Sequence, residues 1–315
     1  MQNRVNVLNI EEAYKIIDKV FLNSPQYEIK TINERFNCSL IFKIETMNPI
    51  RSFKGRGASY YISKLKKGET IVCASAGNLG QALAYVAQKQ NIEAIIFASI
   101  NANKLKIEQM KLLGAKVNLI GNDFDEAKDA ARKYALDNNY HLLEDSLDIE
   151  TCEGAGTIAK ELIEYPQNID IVLVALGNGA MLTGIATYFK KHSLKTKVIG
   201  VVARKAPAMA DSFKQKQIIN YTSTSTIADG IAVRNPIKEV LSDMEEVVDD
   251  VLMVNDETTI EAMKIIHENV GIIVEPSGAI CLGAIMENNE YFKNKSVALI
   301  ICGGNLSNEQ IKEYL

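Results

Sequence analysis

The sequence predicts an α/β protein in which parallel-type sheets are flanked by helices. Three observations lead there. Short apolar runs rich in β-branched residues alternate along the chain with stretches of helical periodicity. Turns of small residues and Gly stand where several of these runs end and the next helical stretch begins, the place where open α/β sheets build their sites. The chain has 315 residues, 47% hydrophobic and 23% charged, which is the composition of a globular protein with room for two domains.

Along the chain, Ile10, Ala13, Ile16, Ile17, Val20 and Phe21 recur at helical spacing, so residues 10–22 read as one amphipathic helix. Buried strands are expected over 40–44, 70–73, 93–97, 117–120, 169–176, 198–202 and 297–302, each short and apolar. Helices are expected near 54–66, 78–90, 103–112, 123–138, 151–164, 181–191, 256–269, 277–287 and 307–314. No Pro/Gly/Ser linker and no repeat of 20–50 residues marks a boundary. Two domains would therefore be joined by a chain that crosses more than once.

Composition excludes several classes. Net charge is −4 with no Trp and no long basic run, which argues against nucleic acid as a partner. Lys64, Lys66 and Lys67 read as a solvated helix end. The five Cys are scattered and form no CxxC pair, so neither a disulfide framework nor a zinc cluster is expected. His141, His192 and His267 have no ligand spacing, and no metal is expected. The N-terminal stretch lacks an apolar signal region and no apolar run reaches about 18 residues, so a cytoplasmic protein without membrane contact is expected.

Four segments carry candidate chemistry. In Ser52-Phe53-Lys54-Gly55-Arg56-Gly57-Ala58 a turn presents Lys54 at a helix start. The positive end of the macrodipole disfavours an ammonium there and favours an amine nucleophile, although a plain surface Lys fits as well. Ser75-Ala76-Gly77-Asn78 follows an apolar strand and opens a helix, where backbone N–H groups can hold a carboxylate or phosphate. Gly177-Asn178-Gly179-Ala180-Met181 does the same after another strand. Its next Gly, Gly184, comes two residues too late for G-x-G-x-x-G, and the Lys-Ser/Thr of a P-loop is missing, so a small phosphorylated cofactor suits it better than a dinucleotide. Cys302-Gly303-Gly304-Asn305 ends the last strand, where a thiol could face a flat ring or simply be buried.

Together, and in this order, these segments resemble the serine/threonine dehydratase group of pyridoxal-phosphate enzymes, the fold type II enzymes that include tryptophan synthase β and cysteine synthase. Thr226-Ile227-Ala228-Asp229-Gly230-Ile231-Ala232-Val233 and Glu275-Pro276-Ser277-Gly278-Ala279 add to the resemblance, which covers roughly residues 30–306. It implies pyridoxal 5'-phosphate as cofactor. It also implies a large cofactor-binding domain from 1–66 and 150–315, and a small domain from 67–149 carrying the carboxylate loop.

By the same resemblance, Lys54 forms the Schiff base with the cofactor and serves as catalytic base. Phe53 lies against the pyridine ring, Asn78 bonds its hydroxyl and Cys302 faces its nitrogen. Gly177, Asn178, Gly179, Ala180 and Met181 hold the phosphate. Ser75, Ala76, Gly77 and Asn78 clasp the substrate carboxylate. The implied reaction removes the β-hydroxyl of L-threonine or L-serine and yields a 2-keto acid and ammonia. A neutral Cys302 thiol leaves the ring a weak electron sink, which favours prompt loss of a β leaving group. Relatives are homo-oligomers, dimers or tetramers, and a small amino acid is the expected partner.

The sequence also departs from the pattern. Leu79 stands where many dehydratases carry His, and Asn178 and Ala180 replace Gly. Ala76 stands where serine racemases have Ser, which disfavours racemisation. Ser225 stands where an acidic cation ligand often precedes the Asp229 segment. Arg51 either reads a second substrate carboxylate, as in hydroxyaspartate, or lies on the surface. The chain ends just past the last motif, so no C-terminal regulatory domain is expected. β-Replacement of the cysteine synthase type is the alternative within the fold, and a regulatory protein that kept the fold is the alternative outside it.

Overall fold

The computed structural model describes residues 3–315; Met1 and Gln2, where the N-terminal reading and the expected large domain begin, lie outside the described residues. Ten strands occur among the described residues: β1 (Gln26–Glu28), β2 (Ser39–Ile44), β3 (Thr70–Ala74), β4 (Glu93–Ala98), β5 (Lys116–Leu119), β6 (His141–Leu143), β7 (Ile171–Ala175), β8 (Lys197–Ala203), β9 (Asp250–Val254) and β10 (Ser296–Ile301). They form a six-stranded sheet in the order β1-β2-β10-β7-β8-β9 and a four-stranded sheet in the order β5-β4-β3-β6.

Every pair is parallel except β1 with β2. Parallel strands need helical crossovers that cover both faces, which is why β2, β7 and β10 read as continuous apolar runs. The four-stranded sheet is drawn from residues 70–143, and the larger sheet from segments on either side of them. After β6 the chain crosses to the larger sheet through residues 144–148 and enters the helix Ile149–Ile163. No described helix is long and apolar enough to cross a membrane.

Several elements differ from expectation. The first helix is Val7–Ile16 and breaks at Ile17; the side chain of Asp18 then accepts from Val20 N and starts a separate 3-10 turn at Lys19–Phe21. Strands β1, β6 and β9 were not predicted, nor were the helices Lys30–Phe36, Ala208–Gln215 and Lys238–Glu245. Each is short, with little room for a period to declare itself.

Helices Ile149–Ile163 and Ala180–His192 pack backbone against backbone. A Cβ on Gly184 would lie 2.0 Å from the Cys152 carbonyl oxygen, so only Gly permits this approach. The helix Lys54–Ile62 is fixed by buried charge. Arg56 is fully buried, and its guanidinium donates to Glu45 at 2.7 and 2.8 Å and to Glu161 at 2.6 and 3.0 Å. Lys43 also pairs with Glu161. Removing one partner would strand a buried charge, at a cost of about 3–5 kcal/mol.

Candidate active site

A cavity of about 440 Å³ is lined from both sheets, by the 74–79 segment, Lys106 and residues 142–145 on one side and by the 177–181 loop, the 229–235 loop, Glu275 and Cys302 on the other. Lys54 and Phe53 line it as well. All four candidate segments therefore meet in one place.

The first and fourth segments are joined by backbone. Ser52 pairs with Gly303, Phe53 N donates to Cys302 O at 3.1 Å, and Gly304 N donates to Arg51 O at 3.0 Å. This zipper sets Cys302 beside the start of the Lys54 helix. Lys54 Nζ lies 4.8 Å from the Phe53 ring centroid, within cation–π range. It does not stand alone at its helix end. It lies 2.8 and 2.7 Å from the two oxygens of Asp145, on the segment that crosses between the sheets.

Neighbouring Ser146 is fully buried in the left-handed region at φ 69, and its Oγ accepts from Ala180 N at 2.9 Å. Asp145 also takes a long 3.5 Å bond from Asn178 Nδ2. The crossover thus touches both the lysine and the Gly-rich loop. Sequence reasoning missed these two residues. Their only signal was a short polar stretch between an apolar strand and a helix.

The 177–181 loop leaves several N–H groups open. Gly179 has φ 104, which turns the chain into the helix Ala180–His192 without a side-chain cap. No backbone carbonyl accepts from the N–H groups of Gly177, Asn178, Gly179 or Met181. The hydroxyl of Thr183, in the first turn of that helix, is buried without a partner. Unsatisfied donors at a helix N-terminus fit a phosphate.

The 75–78 loop has the same character on a smaller scale. Ser75 Oγ accepts from Gly77 N and Gly80 N at 3.2 and 3.0 Å, leaving its hydrogen free to donate. The N–H groups of Ala76 and Asn78 have no backbone acceptor. Leu79 is buried and lines the cavity.

Asn78 is oriented by a network. Its Nδ2 donates to Glu275 Oε1 at 2.8 Å and its Oδ1 accepts from Asn305 Nδ2 at 2.9 Å. Ser277 Oγ donates to the same Glu275 oxygen at 2.7 Å. One Asn78 N–H remains for a ligand. Burial raises the Glu275 carboxyl, although Lys106 and Ser277 oppose it. Cys302 Sγ donates to Ser277 O at 3.3 Å. Burial, and then the Glu275 charge, push this thiol well above its ordinary range, so it stays neutral.

Ion pairs made by two cations, Lys106 and Arg234, bridge the rim of the cavity between the sheets. Lys106 reaches Asp229 at 2.9 Å, and Arg234 pairs with Asp125 and Asp123. Burial would lower the Lys106 ammonium, but Asp229 and Glu275 outweigh it and raise it. Arg51 is exposed at φ 50 and does not line the cavity, so nothing in the structure brings it to a substrate's second carboxylate.

The residues present fit pyridoxal 5'-phosphate: open N–H groups for a phosphate, a lysine amine in the same cavity, an amide with a spare donor and a neutral thiol. Comparison with known proteins agrees. The family described as pyridoxal-phosphate dependent enzyme matches residues 17–303. The chain is similar to the biosynthetic L-threonine dehydratase of Staphylococcus epidermidis, 31% identical over 99% of this chain and 77% of the relative. Its fold is similar to the processed form of threonine deaminase isoform 2 from Solanum lycopersicum, with TM-score 0.90 and 27% identity over 98% of this chain and 86% of the other. It is also similar to maize serine racemase, with TM-score 0.91 and 27% identity over 98% and 96% of the two chains.

Proposed function

Since the chain belongs to the pyridoxal-phosphate dependent enzyme family, we propose that it removes the β-hydroxyl and the amino group of L-threonine or L-serine, releasing a 2-keto acid and ammonia. The observation that carries this reading is the placing of Lys54 Nζ, the neutral Cys302 thiol and the two anion-binding loops around one cavity. The names of the curated relatives support the choice of threonine.

Bound in the cavity, the cofactor supplies an electron sink for the electrons released at the substrate α-carbon. The N–H groups of Gly177, Asn178, Gly179 and Met181 hold its phosphate, and the Asn78 amide orients its ring. The substrate carboxylate lies on the N–H groups of Ala76 and Asn78 and on the Ser75 hydroxyl. Lys54 Nζ takes the proton from the α-carbon, at the short range that general base catalysis requires. Cys302 holds its proton and adds no charge beside the ring. Water lost from the β-carbon is matched by water consumed when ammonia is released, so threonine gives 2-oxobutanoate and serine gives pyruvate. Ala76 offers no acid to the opposite face, which disfavours racemisation. Residues 67–149 serve as the smaller domain, closing on the substrate through the Lys106–Asp229 and Arg234–Asp125 pairs.

The test is a steady-state assay of 2-keto acid release from L-threonine and L-serine by the cofactor-loaded protein. Release from either supports the reading. No release from both, with cofactor bound, contradicts it.

A further inference from the structure

The residues ahead of the first helix carry an arginine that the proposed reaction leaves without a role. The Arg4 guanidinium donates to both oxygens of Asp243, through Nε at 3.3 and 3.0 Å and through Nη2 at 2.8 Å. The Arg4 backbone N–H donates to the same carboxylate at 2.9 Å. The other contacts of the guanidinium reach the crossover between the sheets. Nη1 donates to Leu147 O at 3.0 Å and Nη2 to Ser146 O at 3.2 Å.

Both ends of this bridge back the 177–181 loop. On the crossover, Ser146 Oγ accepts from Ala180 N at 2.9 Å. Ser146 makes that bond from φ 69, a left-handed conformation that a serine keeps only where its surroundings fix it. The bonds from Arg4 to the carbonyls of residues 146 and 147 are part of what fixes it. At the other end, Asp243 lies on the helix Lys238–Glu245. Val240 of that helix stands against Gly179, where an added Cβ would lie 2.5 Å from Val240 Cγ1 and 3.7 Å from Met244 Sδ. Asp243 is buried, and among the described residues Arg4 is the cation that meets it. A planar fork of N–H donors lets one arginine hold a carboxylate and two carbonyls at once, which a lysine cannot do.

We propose that Arg4 is a positioning residue for the cofactor: by tying Asp243 to the carbonyls of Ser146 and Leu147, it holds the crossover so that Ser146 keeps the 177–181 loop in the shape that takes the phosphate. Arg4 does not line the cavity and acts only through these neighbours. The inference rests on the reading of that loop as the phosphate site, and it places one requirement of the site at the start of the chain. Without Arg4, a buried carboxylate loses its cation and two crossover carbonyls lose a donor, so the crossover is released. A purely structural Arg4 would lower stability and leave the cofactor affinity of the folded chain unchanged.

The test is a fluorescence titration with pyridoxal phosphate of the parent chain, Arg4→Ala, Arg4→Lys, Ser146→Ala and the double variant Arg4→Ala/Ser146→Ala, each under conditions where far-UV circular dichroism shows it folded. The expected result is a Kd at least about tenfold higher in Arg4→Ala. Arg4→Lys keeps the charge opposite Asp243 without the fork and recovers part of that loss. The double variant binds at least about threefold more tightly than the product of the two single losses, because both residues act on one support. A folded Arg4→Ala with the parent Kd would overturn the proposal and confine Arg4 to stability. Single losses that simply multiply in the double variant would also overturn it, since Arg4 would then not reach the loop through Ser146. If Arg4→Ala does not fold, Arg4→Lys alone and combined with Ser146→Ala decides by the same comparison. No saturable binding by the parent chain would overturn the cofactor reading, and this proposal with it.

Discussion

Lys54 Nζ lies within 2.8 Å of both carboxylate oxygens of Asp145, a residue 91 positions further along the chain. The contact is made where the chain passes from the four-stranded to the six-stranded sheet. One residue on, Ser146 Oγ accepts from Ala180 N at the end of the 177–181 loop. A short crossover thus ties the Lys54 amine to the Gly-rich loop at 177–181.

Ser146→Ala leaves the Ala180 N–H without its acceptor while keeping the left-handed backbone of residue 146. An unmet buried donor costs about 1–3 kcal/mol. Urea denaturation of the cofactor-free protein should show a loss in that range. An unchanged midpoint would mean that the bond contributes nothing.

Gly179→Ala should weaken cofactor binding. The residue sits at φ 104, and an added Cβ would lie 2.5 Å from Val240 Cγ1. Left-handed strain of about 1–2 kcal/mol and the clash together displace the loop N–H groups. A fluorescence titration with pyridoxal phosphate should give a Kd about tenfold higher or more. An unchanged Kd would show that the loop does not hold the phosphate.

Cys302→Asp should slow elimination. The thiol is buried and neutral, and donates to Ser277 O. A carboxylate there would hold the pyridine nitrogen protonated and strengthen the ring as an electron sink, which no longer favours prompt loss of the leaving group. The turnover rate on L-threonine should fall at least about tenfold. A variant with the full rate would remove Cys302 from the account.

Asp148 gives the crossover a pH dependence. Burial, with smaller contributions from Glu150 and Glu144, raises its carboxyl from 3.8 to about 6. Between those values the folded state binds the proton and the unfolded state does not, so stability falls as pH rises from about 4 to 6. The side chain is partly exposed, which reduces the effect to about 1–2 kcal/mol. Asp148→Asn keeps an acceptor for Glu144 N and removes this decline. Urea midpoints at pH 4 and 7 should therefore differ less in the variant than in the parent chain. An equal difference in both would assign the decline to other groups.

The strands β2, β3, β4, β7, β8 and β10 were legible because parallel strands buried on both faces leave unbroken apolar runs. Lys54 and the loops at 75–78 and 177–181 stood out because small residues surround them near the ends of such runs, but the local pattern left a surface Lys and plain turns open, and only the family resemblance gave them roles. Asp145 was not, because its role is set by a contact across the fold that no local period records. The Glu275–Asn78 bond is of the same kind, spanning 197 positions, and so is the Lys106–Asp229 bond. The strand Asp250–Val254 was missed because it lies at the sheet edge and its pattern is broken by half-buried residues. Arg51 looked informative in sequence, yet its place beside Gly304 leaves its side chain in solvent.

The central claim is that Lys54 holds a pyridoxal cofactor and uses it for elimination. The most direct measurement is the absorbance spectrum of the protein titrated with pyridoxal phosphate, for the parent chain and for Lys54→Ala, followed by addition of L-threonine. The account predicts a saturable visible band in the parent chain that is missing from Lys54→Ala, and 2-oxobutanoate release that falls by at least about a thousandfold in the variant. The same band and the same rate in both proteins would contradict it.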